Sequence, residues 1–222
     1  LWTRPILGTD SVESSERYMA LCIHPSEQTP YIGIVRKIVE RKGSPDVPGF
    51  IDKSRLYVVG SEDLINWSVT EELTINGLAE VIQNLKRLTS IEKEFLGLED
   101  PDILIDDNGT LHMYFTIPFK YTHKEDHEIY LGHASGDTLS SLNATQPVLK
   151  PLDERVKGFK EVCPAPQQDS GKHMMLCETY FSTKGLGGRS AISVSTATHL
   201  TEEWKYEQIA HDPAREDKNW CS

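Results

Sequence analysis

The chain is poor in cysteine, in basic charge and in long apolar stretches, and each shortage removes a class of protein. Only four of its 222 residues are cysteine: Cys22, Cys163, Cys177 and Cys221. No two form a C-x-x-C pair, so neither a zinc knuckle nor a thioredoxin-type site is indicated. Four cysteines are too few for a disulfide scaffold in a chain this long, and buried free thiols are the expectation. Lys and Arg number 23 against 34 Asp and Glu, a formal charge of −11. Such a surface repels phosphate backbones and anionic lipid, so no nucleic-acid or membrane partner is expected. A neutral ligand loses nothing in that field. No apolar run approaches the roughly 18 residues of a membrane span. The 15 Gly and 12 Pro are scattered, which excludes collagen and low-complexity disorder. The chain starts at Leu1 without Met or a secretory leader, which predicts a processed, trimmed or partial chain. Its expected location is cytoplasmic, or secreted if a signal peptide has been removed.

What the chain does have is short β-type segments divided by turn signals. Residues 17–23, 31–40, 55–60, 103–105, 111–117, 128–133, 173–181 and 191–196 are rich in β-branched and aromatic side chains. Asp107-Asn108-Gly109 predicts a hairpin turn, because Asn-Gly accepts positive φ, and Asp169-Ser170-Gly171 predicts a second. One segment differs. Leu78, Val81, Ile82, Leu85, Leu88, Ile91 and Phe95 follow helical spacing, predicting one inserted amphipathic helix near 77–96. Asn76 is its candidate N-cap and Gly97 its stop, unless Thr89-x-x-Glu92 restarts a second short helix. Its expected role is to cover a sheet edge or an oligomer contact.

An internal repeat organises the rest. Ser61-Glu62-Asp63-Leu64-Ile65-Asn66-Trp67, Ser135-Gly136-Asp137-Thr138-Leu139 and Ser195 to Trp204 each follow a strand with Ser, a polar turn, Leu and usually Trp. Asp100-Pro101 and Cys163-Pro164 each lead into a hairpin. A four-stranded unit of ~60 residues that cannot bury its own face is a propeller blade. Blades are expected at 17–72, 98–150 and 159–210, with a fourth opening at Asn219-Trp220-Cys221-Ser222. The fold class is therefore all-β, a single propeller domain over 1–222 that is incomplete at its C-terminus, since five closed blades need roughly 300 residues. Trp67 and Trp204 are expected to pack between blades. Tyr114, Tyr180 and Trp220 are the freer candidates to stack on a sugar.

The Ser-x-Asp-Leu-x-x-Trp edge and Gly97-Leu98-Glu99-Asp100-Pro101 resemble the five-bladed propeller glycosidases. Within them the chain most resembles the β-mannoside phosphorylase and β-mannosidase family (glycoside hydrolase family 130), in which Gly-x-Glu-Asp-Pro-Arg opens the second blade. Phe159-Lys160-Glu161-Val162-Cys163-Pro164 resembles the Lys-plus-acid segment of that family and the acid motif of fructan-cleaving propellers. Gly33-Ile34-Val35-Arg36 resembles its strand with a sugar-contacting Arg. The resemblance implies cleavage of β-mannosides or related oligosaccharides. The Arg expected after Glu-Asp-Pro is Asp102 here, which favours hydrolysis over phosphorolysis, with inorganic phosphate a partner only in the latter. No cofactor is implied, and a homo-oligomer is compatible. An arabinan- or xylan-type propeller glycosidase and a non-catalytic sugar-binding propeller remain alternatives; the former needs a first-blade acid, for which Asp10 or Asp46 would have to serve.

Glycoside cleavage uses two carboxyl groups that flank the scissile bond. Asp100 and Glu161 are the candidate acid/base pair, with Glu99 next, and carboxyls gathered in one funnel raise one another's pKa. Asp100 could instead brace the strand start beside Pro101. Matching Pro101 with Pro164 sets Asp100 against Cys163. Strand alternation puts Asp102 on the face of Asp100, as a third acid or a partner for Arg36 or Lys160. Arg36, Asp102, Lys160, Tyr114 and Tyr180 are the expected substrate-binding residues. No metal site is expected: His123-Lys124-Glu125-Asp126-His127 reads as a solvated loop. Gly185-Leu186-Gly187-Gly188-Arg189 lacks the following helix that a phosphate cradle needs.

Overall fold

Alternating apolar residues build three consecutive antiparallel four-stranded units in a computed structural model that describes residues 17–25, 29–44, 49–124, 126–165, 171–183 and 187–213. Blade 1 is β1 (Arg17–Ile23), β2 (Tyr31–Lys42), β3 (Ile51–Ser61) and β4 (Ser68–Glu72), paired in that order. The helix α1 (Leu78–Arg87) and the short strand β5 (Lys93–Phe95) lead into blade 2. That blade is β6 (Glu99–Ile105), β7 (Leu111–Tyr121), β8 (His127–Gly136) and β9 (Asn143–Ala144). Blade 3 is β10 (Val156–Ala165), β11 (His173–Thr183), β12 (Gly187–Ala197) and β13 (Lys205–His211). The three groups fall near the expected repeats, the second and third joined into one nine-stranded sheet where β10 pairs with β8. The fourth start, including Trp220 and Cys221, lies outside the described residues, as do Asp10, Asp46 and Asp169-Ser170.

Blade 2 is the middle layer, and its burial says so. All eleven residues of β7 are buried, although a sheet with one solvated face would alternate. Leu111, Met113, Phe115, Ile117 and Phe119 pack with Ile34 and Leu56 of blade 1. Tyr114 and Leu131 pack with Phe159, Met175 and Trp204 of blade 3. Each large apolar side chain so enclosed contributes about 1.5–3 kcal/mol. Trp204 is the expected interblade tryptophan; Trp67 is half-buried and its indole N–H turns back to the Leu64 carbonyl at 3.1 Å.

The helix is shorter than its periodicity. Val81, Ile82 and Leu85 fill the gap between blades 1 and 2, but Leu88 is 63% exposed and Ile91 46%. Lys93–Phe95 then pairs with the overhang of β7, so cross-strand pairing ends what spacing alone would prolong. Asn76 does not cap: its backbone pairs with Leu142 and Ala144, and Gly77 takes the cap position in left-handed backbone. Gly97 is no helix stop either. A Cβ there would stand 1.8 Å from the Ser54 carbonyl oxygen, so Gly97 lets the chain bond to β3 on both sides of Ser54. Gly158 does the same against Ile129 of β8, at 2.0 Å. These two glycines fasten each blade to the one before it. The Asp-Asn-Gly hairpin forms as expected, with Gly109 at φ 82 and the Asp106 carboxylate accepting from the Asn108 and Thr110 amides.

Candidate active site

The inner strands β1, β6 and β10 share a bulge at one place, and β10 carries a second between Val156 and Gly158. The ladders skip after Met19, Glu99 and Lys160, and the residues that follow, Ala20, Asp100 and Glu161, have φ of 53, 47 and 48. Left-handed backbone at a non-glycine costs about 1–3 kcal/mol, and a bulge re-aims its side chain out of the strand's alternation. In β6 the break follows from Pro101, which has no N–H to give the ladder. The glycines and bulges together correct the register read from the prolines. Gly97 aligns with Gly158, so Asp100 aligns with Glu161 and Asp102 with Cys163.

Around Asp100 the charges are interlocked. The Arg36 guanidinium donates to Asp100 Oδ1 at 3.1 Å, to Glu99 Oε1 at 2.6 Å and to Ser54 Oγ at 2.8 Å. Ser54 is the residue that Gly97 brings to the blade junction. All three charged side chains are nearly enclosed, Asp100 at 12% exposure. Burial pushes Glu99 up to about 7 against the pull of Arg36, with Asp100 adding to the rise. Arg36, expected to contact sugar, is thus occupied by three protein oxygens.

Around Glu161 the arrangement is looser. Its side chain is 54% exposed, and Lys160 Nζ lies 3.5 Å from its Oε1 and 3.2 Å from Glu178 Oε1 of β11. Burial raises Glu161 above the carboxylate range, Lys160 opposes, and Glu178 raises it further. Burial alone would lower Lys160, but Glu178, Glu161 and Asp100 together carry it upward. Asp100 therefore acts on Glu161 and Lys160 across the junction of β6 and β10.

The other candidates fall in different places. Asp102 pairs with neither Arg36 nor Lys160; its Oδ1 accepts from the Ile103 amide at 2.8 Å and the Cys22 thiol at 3.7 Å, because the bulge breaks the alternation that would have put it beside Asp100. Tyr114 has no accessible surface, lies edge-on to Trp204 and donates to the Leu200 carbonyl, so it offers no face to a sugar. Tyr180 is half-buried, two residues along from Glu178 on the same face of β11. Cys163 is exposed and Cys22 half-buried, so among the described residues Cys177 alone is the buried thiol expected. His123 is a surface residue facing Glu92, while Glu125 lies outside the described residues. Sequence reasoning missed Ser54 and Glu178. The signal available for the latter was an acid inside an otherwise apolar strand.

No protein-family model matches the chain, and no curated protein matches it. Solved structures do. A family 117 glycoside hydrolase, Zg3597, of the marine bacterium Zobellia galactanivorans matches with a TM-score of 0.59 and 11% identity, over 88% of this chain and 56% of its own. A glycosyl hydrolase from Bacteroides ovatus gives 0.52 and 15%, over 87% and 49%. A structure from work on GH130 mannoside phosphorylases, reporting hydrolases that target β-1,2 mannosidic linkages in Candida mannan, gives 0.51 and 18%, over 86% and 48%. The chain spans about half the length of the structures it matches. The neighbours are glycosidase-type five-bladed propellers, and the likeness at these identities is one of fold.

Proposed function

We propose that the chain supplies the catalytic carboxyls of a five-bladed-propeller glycoside hydrolase, with β-mannosides as the first substrate class to try. The observation that carries this reading is the repeated bulge. It presents Asp100 and Glu161 from adjacent inner strands in the same left-handed backbone, one ion-paired and enclosed, the other open and raised in pKa. Glu161 is the general acid: its proton passes to the leaving-group oxygen as the bond from that oxygen to the anomeric carbon breaks. Water forms the new bond to that carbon and gives its proton to Asp100, which releases it to solvent as solvent returns a proton to Glu161. Arg36 and Glu99 hold Asp100 in place.

Hydrolysis is favoured over phosphorolysis by the local charge. Arg36 is already paired with Glu99 and Asp100, and Lys160 with Glu161 and Glu178. Both cations are already engaged by protein carboxyls, so phosphate would find no free positive charge, whereas a neutral sugar needs none. An arabinan-type site needs an acid in the first blade, and the blade-1 bulge carries Ala20. The test is incubation with β-1,4-mannooligosaccharides, aryl arabinoside and aryl xyloside, each with and without phosphate. Phosphate-independent release of sugar from the mannosides is expected, reduced about 10²–10⁴-fold in Asp100→Asn and Glu161→Gln. Turnover untouched by both variants would remove the site assignment, and turnover of no substrate would favour a binding module. Sugar 1-phosphate would establish phosphorolysis.

A further inference from the structure

The second strands of the three blades place Arg36, Thr116 and Glu178 at one position of the repeat. Each stands opposite the residue just before a bulge, in the pairs Met19–Arg36, Glu99–Thr116 and Lys160–Glu178. In blade 1 this position holds a cation that reaches forward to the acids of blade 2. In blade 2 it holds a neutral residue, so the acid of blade 3 receives no cation from the blade before it. In blade 3 it holds an acid. We propose that Glu178 is a positioning residue for Glu161: the two carboxyls share one proton under the bridging ammonium of Lys160, with Glu161 as the proton's owner and Glu178 as the anion. The proposal deepens the reading of Glu161 as general acid and rests on it for its catalytic meaning.

The geometry supports this assignment. Both carboxyls lie within 3.5 Å of the one Lys160 ammonium, and two like charges gathered there are eased by a proton on one of them. Lys160 Nζ lies nearer Glu178, at 3.2 Å, than Glu161, at 3.5 Å. That nearer contact is what supports a charge on Glu178, which at 16% exposure has little solvent to rely on. Glu161 opens outward. The charged groups bearing on Glu161 are Lys160 on its own strand, Glu178 on β11 and Asp100 on β6, so two of three are anions that favour its protonated form. The directions agree. Burial would raise Glu178, yet Ser190 and Lys160 bring it down, while burial and Glu178 hold Glu161 up against Lys160.

Carboxyl ¹³C NMR titration of the full chain with labelled glutamate tests the pair without reference to activity. Glu161 is assigned by the signal lost in Glu161→Gln. In Glu178→Gln the Glu161 midpoint should fall by about one pH unit or more, because the neutral amide removes an anion and can donate to the ionised form. In Lys160→Met it should rise. Glu178→Asp, which keeps the charge, should hold the midpoint near the native value and serves if the Gln variant does not fold. A Glu161 midpoint that moves by less than about 0.3 in both Glu178→Gln and Lys160→Met overturns the proposal. On a substrate that is turned over, the basic limb of kcat/KM should shift down with the midpoint in Glu178→Gln, while a merely structural role would lower the whole profile without moving the limb. If no glycoside is cleaved, the functional reading fails and the titration still decides the pair.

Discussion

Gly97–Asp102 and Gly158–Cys163 run along the same path. Each has a glycine against the preceding blade, an apolar residue, a charged residue, and an acid in left-handed backbone. What surrounds the two acids is nearly opposite. Asp100 is enclosed and tied to Arg36, which also binds Glu99 and Ser54. Glu161 is more than half exposed and shares Lys160 with a second carboxyl. The repeat therefore supplies position, and the residue opposite the bulge supplies chemistry. An arginine at 36 and a threonine at 116 suffice to give two acids in one backbone setting different work.

The strongest test of the shared backbone is a methyl group at its first residue. Gly97→Ala and Gly158→Ala each push a Cβ to within 2.0 Å of a backbone oxygen, and no side-chain rotation relieves that. Both should lose about 4 kcal/mol or more by urea denaturation. Gly109→Ala, with positive φ but open space, should lose about 1–2 kcal/mol. A Gly158→Ala protein as stable as Gly109→Ala would end the equivalence of the two blade starts. Next comes the difference in surroundings. Arg36→Met leaves Glu99 and Asp100 buried without a cation and should cost about 3–5 kcal/mol. Lys160→Met leaves Glu178 without its cation, but Glu161 beside it opens to water, and the loss should be smaller, about 1–2 kcal/mol. Equal losses would mean that the two sites are equally closed.

The parts of this comparison were unequally legible in the sequence. Most strands with buried faces were readable because β-branched and aromatic residues alternate there, but the inner strand β10, broken by Gly158, Lys160-Glu161 and Pro164, and the short β5 were not. The exposed edge β4, the two-residue β9 and the polar β13 carry no such pattern, so they were not. Asp100 and Glu161 stood out as acids beside blade-opening prolines, but their register did not, because a bulge is a property of backbone pairing. Aligning prolines placed Asp100 opposite Cys163. Aligning Gly97 with Gly158, each three residues before an acid, would have recovered the register. The helix ran too far on paper because Leu88 and Ile91 keep its period while lying in solvent. Tyr114 and Arg36 were plausible sugar contacts by type; only the third dimension puts one in the interblade core and the other under two carboxylates.

The enclosed site should also announce itself through pH. Glu99 sits near 7 in the folded protein, above its ordinary 4.5, so the folded state holds a proton more readily than the unfolded state between those values. The stability it contributes is complete below 4.5 and is lost as pH rises through 7. His133 opposes it: burial and the neighbouring His112 push it down to about 3, so stability falls as pH drops from 6.5 toward 3. The difference between native protein and Glu99→Gln isolates the first slope. It should shrink by at most about 1.4 kcal/mol per pH unit as urea midpoints are taken from pH 5 to pH 7. A constant difference would mean that Glu99 is as ionised as an exposed carboxyl.

The smallest effect belongs two residues beyond the acids, where the bulge has restored the ladder. Asp102 faces Cys22, and Cys163 is exposed. Asp102→Asn keeps an oxygen for the Ile103 amide, and burial already disfavours the charge it removes. Stability within about 0.5 kcal/mol of native is therefore expected for this variant and for Cys163→Ser. On any substrate that Asp100→Asn disables, kcat/KM of Asp102→Asn should stay within about threefold of native, less than 0.7 kcal/mol in transition-state binding. A loss as deep as that of Asp100→Asn would place Asp102 in the proposed site after all, and would mean that the bulge does not divide the proposed catalytic acids from the acid that faces Cys22 of β1.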